Sequence, residues 1–439
     1  MTEVLFWANC LLAGIMLVDG LQRREGYMEV PFLSAAMYAV WFLPQAAALL
    51  DDITLPELAL ARVLAMSLLC LGAIWLGWRK GTAGAPKRVQ PLEVPVARLI
   101  WPTLVLTLFA AAMRMLIDAQ PDEVRASSQW TGPITIMAFF ASVGSVSLVL
   151  SLAMVFRRAT AATLTIAAVN LLLYAPTVLI YFRRANTFQL AFGILLALYF
   201  VRGRTMSRTT FIVVACIGFF FVNGVGHLRA LGGGYALNAS GKIETRIPTL
   251  QEIMDIDWLS AADSEKSRTI SEARNATVFM NVTSETKSFT FGGEILNYII
   301  INYIPGQIIG FDVKKNMKVS ESIDELSLLN SGYEAHTGTT KTGFTDPYRD
   351  FWYFGFVVFL FQSYFMGKLW VAAVRGSVMG FAVYTVTLYL ALHSITHYGY
   401  YWSVKSIFPL IIIWAVVRSA MGGSSVGHSS RRVRVNCAT

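Results

Sequence analysis

The chain alternates between long apolar blocks and short polar connections, with one long polar interruption late in the sequence. The apolar blocks fall at about 4–21, 31–50, 58–78, 99–118, 133–156, 162–182, 186–201, 210–225, 350–367, 377–393 and 404–418. A helix needs about 20 apolar residues to cross the roughly 30 Å of hydrocarbon in a bilayer. The pattern therefore predicts an all-α polytopic membrane protein of about eleven transmembrane helices. Helices suit that solvent because they satisfy their own backbone polar groups. Residues 1–225 carry the first eight spans, 226–349 form the interruption, 350–418 carry the last three spans, and 419–439 are a polar tail.

The first block, Val4–Leu21, has no basic stretch ahead of it and no small-residue cleavage site behind it, which marks a retained span. An interruption as long as 226–349 predicts a loop domain or a functional segment. Within it, Gly293–Ile309 is apolar but broken by Asn297, Asn302 and Pro305. It is expected to lie at the interface or re-enter the membrane without crossing it. Gly232–Gly234 and Thr337–Thr345 are expected to be irregular. No internal repeat is visible, and the long loop sits off-centre, which disfavours an inverted-repeat transporter.

Composition agrees with the pattern. Hydrophobic residues make up 55% and charged residues 14% of 439 positions, against about 45–50% and about 25% in soluble domains. That excludes a soluble globular enzyme and a disordered chain. The four cysteines, Cys10, Cys70, Cys216 and Cys437, fit no metal or redox spacing, and those in the apolar blocks are expected to be buried.

The net charge of +9 gains meaning only when it is located. Of 36 Lys and Arg, 18 lie on alternate connections and the tail, among them Arg23, Arg79, Arg157, Arg202, Arg375 and Arg418. By the positive-inside rule this side is cytoplasmic, so the 226–349 loop faces outward and the C-terminus inward. Six basic residues break the rule: Arg62, Arg114, Arg183, Arg184, Arg349 and Lys405 lie at or just inside the outward ends of spans. One explanation is snorkelling and local ion pairs, such as Arg114 with Asp118 or Arg349 with Asp350. The other is an outward anionic site, because guanidinium forks match phosphate oxygens. A lipid diphosphate would sit at this depth with its tail in the bilayer. Nucleic acid is not implied.

The loop ends in SGYEAHTGTTKTGFTDPYRDFWYFGFVVFLFQSYFMGK, which gathers Glu334, His336, Lys341, Asp346, Tyr348, Arg349 and Asp350 just before a span. Transfer of a glycosyl group from a lipid diphosphate needs a base for the acceptor hydroxyl and positive charge on the leaving group. A carboxylate or histidine beside a basic residue supplies both. Glu334 or His336, with Asp346 behind them, are the candidate catalytic residues. Gly and Thr here predict a loop that can approach a sugar closely. His393 and His397, near the aromatic group Tyr398, Tyr400, Tyr401 and Trp402, lack a third zinc ligand. The aromatics form an interfacial belt or a stacking surface for sugars. Asn238, Asn275 and Asn281 begin formal glycosylation sequons.

Two of these segments resemble the bacterial O-antigen and capsule repeat-unit polymerases of the Wzy type. YFRRANTFQLAFGILLALYF looks like the family's Arg-led outer turn opening into a span, and TGFTDPYRDFWYFGFVVFLFQSYFMGK like its loop ending in an aromatic–Gly stretch. The resemblance implies a GT-C-like integral glycosyltransferase of the bacterial inner membrane. Such an enzyme joins oligosaccharide units carried on undecaprenyl diphosphate at the periplasmic face, without nucleotide sugar, metal or other cofactor. A flippase and a chain-length regulator would be its partners. Carried over, Arg183 or Arg184 would hold the diphosphate, with Arg349 assisting; the wrong-side set adds Arg114 and Lys405 as further candidates. The alternatives are an O-antigen ligase, which uses the same donor, and a flippase or exporter. The latter would need charges at mid-membrane and pseudo-symmetric halves.

Overall fold

The computed structural model of the chain describes residues 1–86, 88–126, 132–181, 183–223, 249–255, 258–336 and 339–422. Among the described residues the regular elements are all helical. Ten helices are long and apolar enough to cross a membrane: Thr2–Gln22, Val30–Ala48, Ala59–Gly81, Val96–Asp118, Pro133–Arg157, Ala161–Leu179, Arg184–Arg202, Thr345–Val374, Val378–Thr396 and Tyr401–Met421. The chain is a multi-pass membrane protein. The block expected at 210–225 corresponds to the helix Arg208–Asn223 of 16 residues; the residues that follow it lie outside the described ones. Gly232–Gly234, Asn238 and most of the C-terminal tail also lie outside them.

Several spans are less regular than their hydropathy implies, the last being broken at Ser406 between Tyr401–Lys405 and Ile407–Met421. Val30–Ala48 carries a π-helical turn at Tyr38–Phe42. Pro133–Arg157 is interrupted between Ala141 and Gly144, where the Ser142 hydroxyl donates to the Phe139 carbonyl at 2.6 Å and competes with the helical ladder. The span expected to begin at 350 starts earlier. It opens as the short helix Thr345–Phe351, tightens to a 3₁₀ turn over Trp352–Gly355 and continues as Phe356–Val374.

Packing among the spans uses small residues and polar clasps. Ala59–Gly81 and Phe356–Val374 run side by side in the same direction. A Cβ on Gly77 would fall 2.3 Å from the Leu360 carbonyl oxygen, and one on Gly81 2.3 Å from that of Tyr364. Such small-residue contacts let helix backbones touch where lipid offers no hydrophobic drive between helices. Tyr38 bonds Asn9 at 2.8 Å and Ser67 at 2.9 Å, joining the first three spans. Thr107 bonds Ser147 at 2.6 Å and accepts from Asn170 at 3.0 Å, joining the next three. Val378–Thr396 is the most enclosed span: 83% of its apolar window is buried, against 22% for Val96–Asp118.

Segments that the charge alternation groups on one side are tied together. Arg23 pairs with Asp19 at 3.0 Å and with Glu29. Arg157 donates to the Leu92 carbonyl at 2.6 Å, Arg208 to that of Gln22 at 2.7 Å, and the Gln90 amide to that of Val374 at 2.7 Å. At the opposite end Arg274 pairs with Asp52 at 2.6 Å, and Tyr303 donates to the Val404 carbonyl at 2.6 Å.

At that second end lie the helices Trp258–Thr286, Gly293–Tyr303 and Ile323–Ser331. Gly293–Tyr303 has 11 residues, about 16 Å at 1.5 Å per residue, so it cannot cross a bilayer. Two of the formal sequons serve packing. Asn275 is buried and donates to Thr339 and to the Thr340 carbonyl at 2.8 and 2.9 Å, and Asn281 accepts from Arg62. The expected burial of cysteines holds for Cys70 and fails for Cys216, which is exposed on an apolar helix. An apolar residue in a membrane helix can face lipid as readily as protein.

Candidate functional site

The site grows from the short helix Thr345–Phe351 at the mouth of the eighth long span. Its backbone is wedged tightly among its neighbours. The Gly343 amide donates to the Ile395 carbonyl at 2.8 Å, and a Cβ on Gly343 would lie 1.6 Å from the Ser394 oxygen. A Cβ on Gly399 would lie 2.4 Å from the Gly343 oxygen. The glycine expected to admit a sugar is instead used to bring the loop onto the end of Val378–Thr396. Thr340 strengthens this junction, its hydroxyl donating to the Thr396 carbonyl at 2.6 Å.

Docking the loop there buries a set of charges. Asp346, Arg349 and Asp350 are each at most 3% exposed. Lys341 Nζ sits 2.7 Å from Asp346 and 3.8 Å from Glu294. Burial opposes the Lys341 charge, but the carboxylates of Asp346 and Glu294 outweigh it and hold the ammonium above its ordinary range. Arg349 pairs with Glu294 through Nη1 and donates to the Glu321 carbonyl at 2.9 Å. The expected neighbour pair of Arg349 with Asp350 is replaced by this contact. Consecutive helical residues point apart, and Asp350 turns toward other donors. It accepts from Thr290 Oγ1 at 2.5 Å, from the Glu294 and Ile295 amides at 3.0 and 3.3 Å, and from Tyr400 at 2.6 Å. Asp350 thus caps the start of Gly293–Tyr303, where free amides and the helix dipole favour a negative charge.

Two cavities flank the helix. The smaller, of about 150 Å³, is lined by Glu294, Lys341, Asp346, Tyr298, Tyr398 and Tyr400 among others. The larger, of about 760 Å³, is lined by Arg62, Lys287, Asp350, Phe291, Trp352 and Phe354 among others. Only the larger falls within the roughly 300–1,000 Å³ of whole-ligand sites. The smaller has room for a reacting group and water beside an acid, a cation and aromatic faces.

The sequence-predicted residues separate in space. Asp346 lines the smaller cavity. Arg349 is buried beside it but lines neither. Glu334 and His336 are exposed and line neither. Arg114 pairs with Asp118 at 3.4 Å, the local ion pair open to it in the sequence. Arg183 and Arg184 begin the span Arg184–Arg202, and the Arg183 amide donates to the Thr177 carbonyl at 2.9 Å. Lys405 is partly buried at the start of the last span. His393 and His397 stack with ring centres 4.7 Å apart, and His397 bonds Thr396 at 2.7 Å. Burial and the neighbouring His393 hold His397 down to about 4.

Two residues, Glu294 at the site and Glu272 behind the loop that carries it, are hard to single out in the sequence. Glu294 is a single acid in an apolar stretch, marked only by its position in the first turn of that helix. Glu272 lies mid-helix in a polar stretch, where nothing distinguishes it. Its carboxyl is raised by burial beside Trp41, Thr340 and Gln45. Comparison of the chain with protein-family models, with curated proteins and with solved structures finds no match.

Proposed function

We propose that this chain is a membrane glycosyltransferase that polymerises oligosaccharide repeat units carried on undecaprenyl diphosphate, at the periplasmic face of the bacterial inner membrane. The observation that carries the reading is the group of buried Asp346 with half-buried Lys341 and Glu294 beside an aromatic-lined cavity, at the end of the helix bundle opposite the arginine-rich connections. The excess of Lys and Arg on those connections makes the site's end exoplasmic. Nucleotide sugars are not expected on that side, so a lipid-linked donor is the fitting one.

In this reading Asp346 is the base for the acceptor hydroxyl, because of the three candidates it is the one that lines either of the two cavities. Lys341 fixes its carboxylate, and Tyr298 and Tyr398 offer ring faces to a sugar. Arg183 and Arg184, which line neither cavity, are assigned to the donor's diphosphate by the resemblance of their segment. The bond from the donor sugar's anomeric carbon to its diphosphate breaks, the bond to the acceptor oxygen forms, and the hydroxyl proton passes to Asp346.

The test is polymer synthesis from purified lipid-linked units by the reconstituted protein. Asp346→Asn should lower turnover by about 10²–10⁴, the usual contribution of a positioned base. Arg183→Ala combined with Arg184→Ala should abolish polymer while the protein remains in the membrane. Wild-type polymer from both proteins would overturn the proposal.

A further inference from the structure

The larger cavity has a chemistry of its own. Arg62, one of the basic residues on the wrong side for the positive-inside rule, enters its wall from the first turn of Ala59–Gly81. Lys287 enters from the end of Trp258–Thr286 and has no ion-pair partner among the described residues. Arg62 is held by Asn281 and by Glu285 at 3.2 Å. Glu285 does not line the cavity and is mostly exposed. The one carboxylate among the described lining residues, Asp350, already has its oxygens on Thr290, Tyr400 and two backbone amides. Lys287 is therefore the cation without an ion-pair partner among the described residues, and Arg62 is the one whose carboxylate partner lies outside the lining.

The remaining wall is aromatic and uncovered. Phe291, Trp352 and Phe354 are 83, 51 and 69% exposed, and the last two sit where a membrane span begins. Three of the four non-glycine residues with positive φ among the described residues line this same cavity: Lys287, Phe291 and Trp352, at 53, 50 and 53°. Left-handed backbone at a lysine, a phenylalanine and a tryptophan is unfavourable. Such positions gather at ligand clamps, where the surrounding fold holds them.

We infer that this cavity binds a phosphate-headed lipid, with the phosphate between Arg62 and Lys287 and the chain leaving across Trp352 and Phe354 into the bilayer. Paired cations suit phosphate oxygens, and amphipathic aromatics belong at the headgroup level. Neither Arg183 nor Arg184 is in the lining, so this is a second phosphate-lipid site, distinct from the one assigned to that doublet. In identifying the lipid as a substrate carrier, the inference rests on the function proposed above. Its test does not.

The full chain carrying Arg183→Ala and Arg184→Ala, which removes the other proposed phosphate-lipid site, would be titrated in phosphatidylcholine nanodiscs with a polyprenyl monophosphate, with the matching polyprenol and with inorganic phosphate. Only the monophosphate should bind well, at least tenfold more tightly than either of the others. Lys287→Glu should weaken it about tenfold or more, and Arg62→Ala with Lys287→Ala should weaken it further. Lys287 is exposed and holds no ion pair among the described residues, so its variant is decisive even where loss of the Arg62 contacts prevents folding. Equal binding of polyprenol would make the cavity a plain apolar groove, and equal binding of inorganic phosphate a free-anion site. Either result, or unchanged binding by Lys287→Glu, overturns the inference. Binding is read without turnover, so a protein that makes no polymer can still show or lack this lipid affinity, and failure here leaves the polymerase reading intact.

Discussion

Tyr400 donates a 2.6 Å hydrogen bond to Asp350, and the two residues line different cavities. The bond forms part of the partition between the charged cavity and the aromatic one. Tyr400→Phe keeps the ring and removes the donor. Hydrogen bonds to charged groups contribute about 1.5–3 kcal/mol, so the variant should unfold correspondingly more easily in detergent. An unchanged melting temperature would show that the other donors to Asp350 suffice without it.

The Arg349–Glu294 pair joins a buried arginine to a half-buried glutamate. Removing Glu294 leaves the buried Arg349 without its carboxylate, a loss that costs up to about 3–5 kcal/mol, and removing Arg349 leaves Glu294 only its longer contact to Lys341. Arg349→Ala and Glu294→Gln should each destabilise strongly in thermal melts, whereas Arg349→Met with Glu294→Met should recover much of the loss. Two single variants within about 1 kcal/mol of wild type would remove the pair from the account of how the loop is anchored.

Gly77 and Gly72 occupy the same helix in opposite circumstances. A Cβ on Gly77 meets the Leu360 oxygen at 2.3 Å, whereas one on Gly72 meets nothing within 4 Å. Gly77→Ala should destabilise by about 1–3 kcal/mol through overpacking. Gly72→Ala should be neutral or better, since alanine gains up to about 1 kcal/mol over glycine in a helix. The paired melts check this directly, and equal effects would discount the close approach of the two helices.

His397 is held neutral, down to about 4 against an ordinary 6.5. As pH falls below about 6.5 the unfolded chain takes up a proton there and the folded one does not. The stability it contributes is therefore complete above that value and is lost progressively as pH falls toward about 4. His397→Asn should flatten the pH dependence of the melting temperature in this window. A slope that survives the substitution would place its origin in other groups.

Much of the protein is legible in its sequence because hydrocarbon imposes a one-dimensional rule. A helix that crosses it must be long and apolar, so spans can be read as blocks, and ten of them stand in the fold close to where the pattern puts them. The alternation of Arg and Lys likewise groups connections that the structure ties together. The site is half-legible. Asp346, Arg349 and Asp350 stand out as charges at the mouth of a span.

Which charges share a space is not written along the chain. Glu294 lies 47 residues before Lys341 by position in the chain, yet its carboxylate is 3.8 Å away. Glu334 and His336, close neighbours of Lys341 in sequence, stay outside both cavities. Arg62 joins the end of the Trp258–Thr286 helix across a far longer stretch of chain. Spacing along a chain predicts contact only within one helix. Between helices, contact depends on the docking of whole elements, here fixed by backbone-to-backbone approaches at Gly77, Gly343 and Gly399. The sequence alone thus determined the membrane-spanning architecture and its two chemically distinct ends, and the tertiary structure decided which residues form each cavity, because burial brings distant charges together only after the helices have packed.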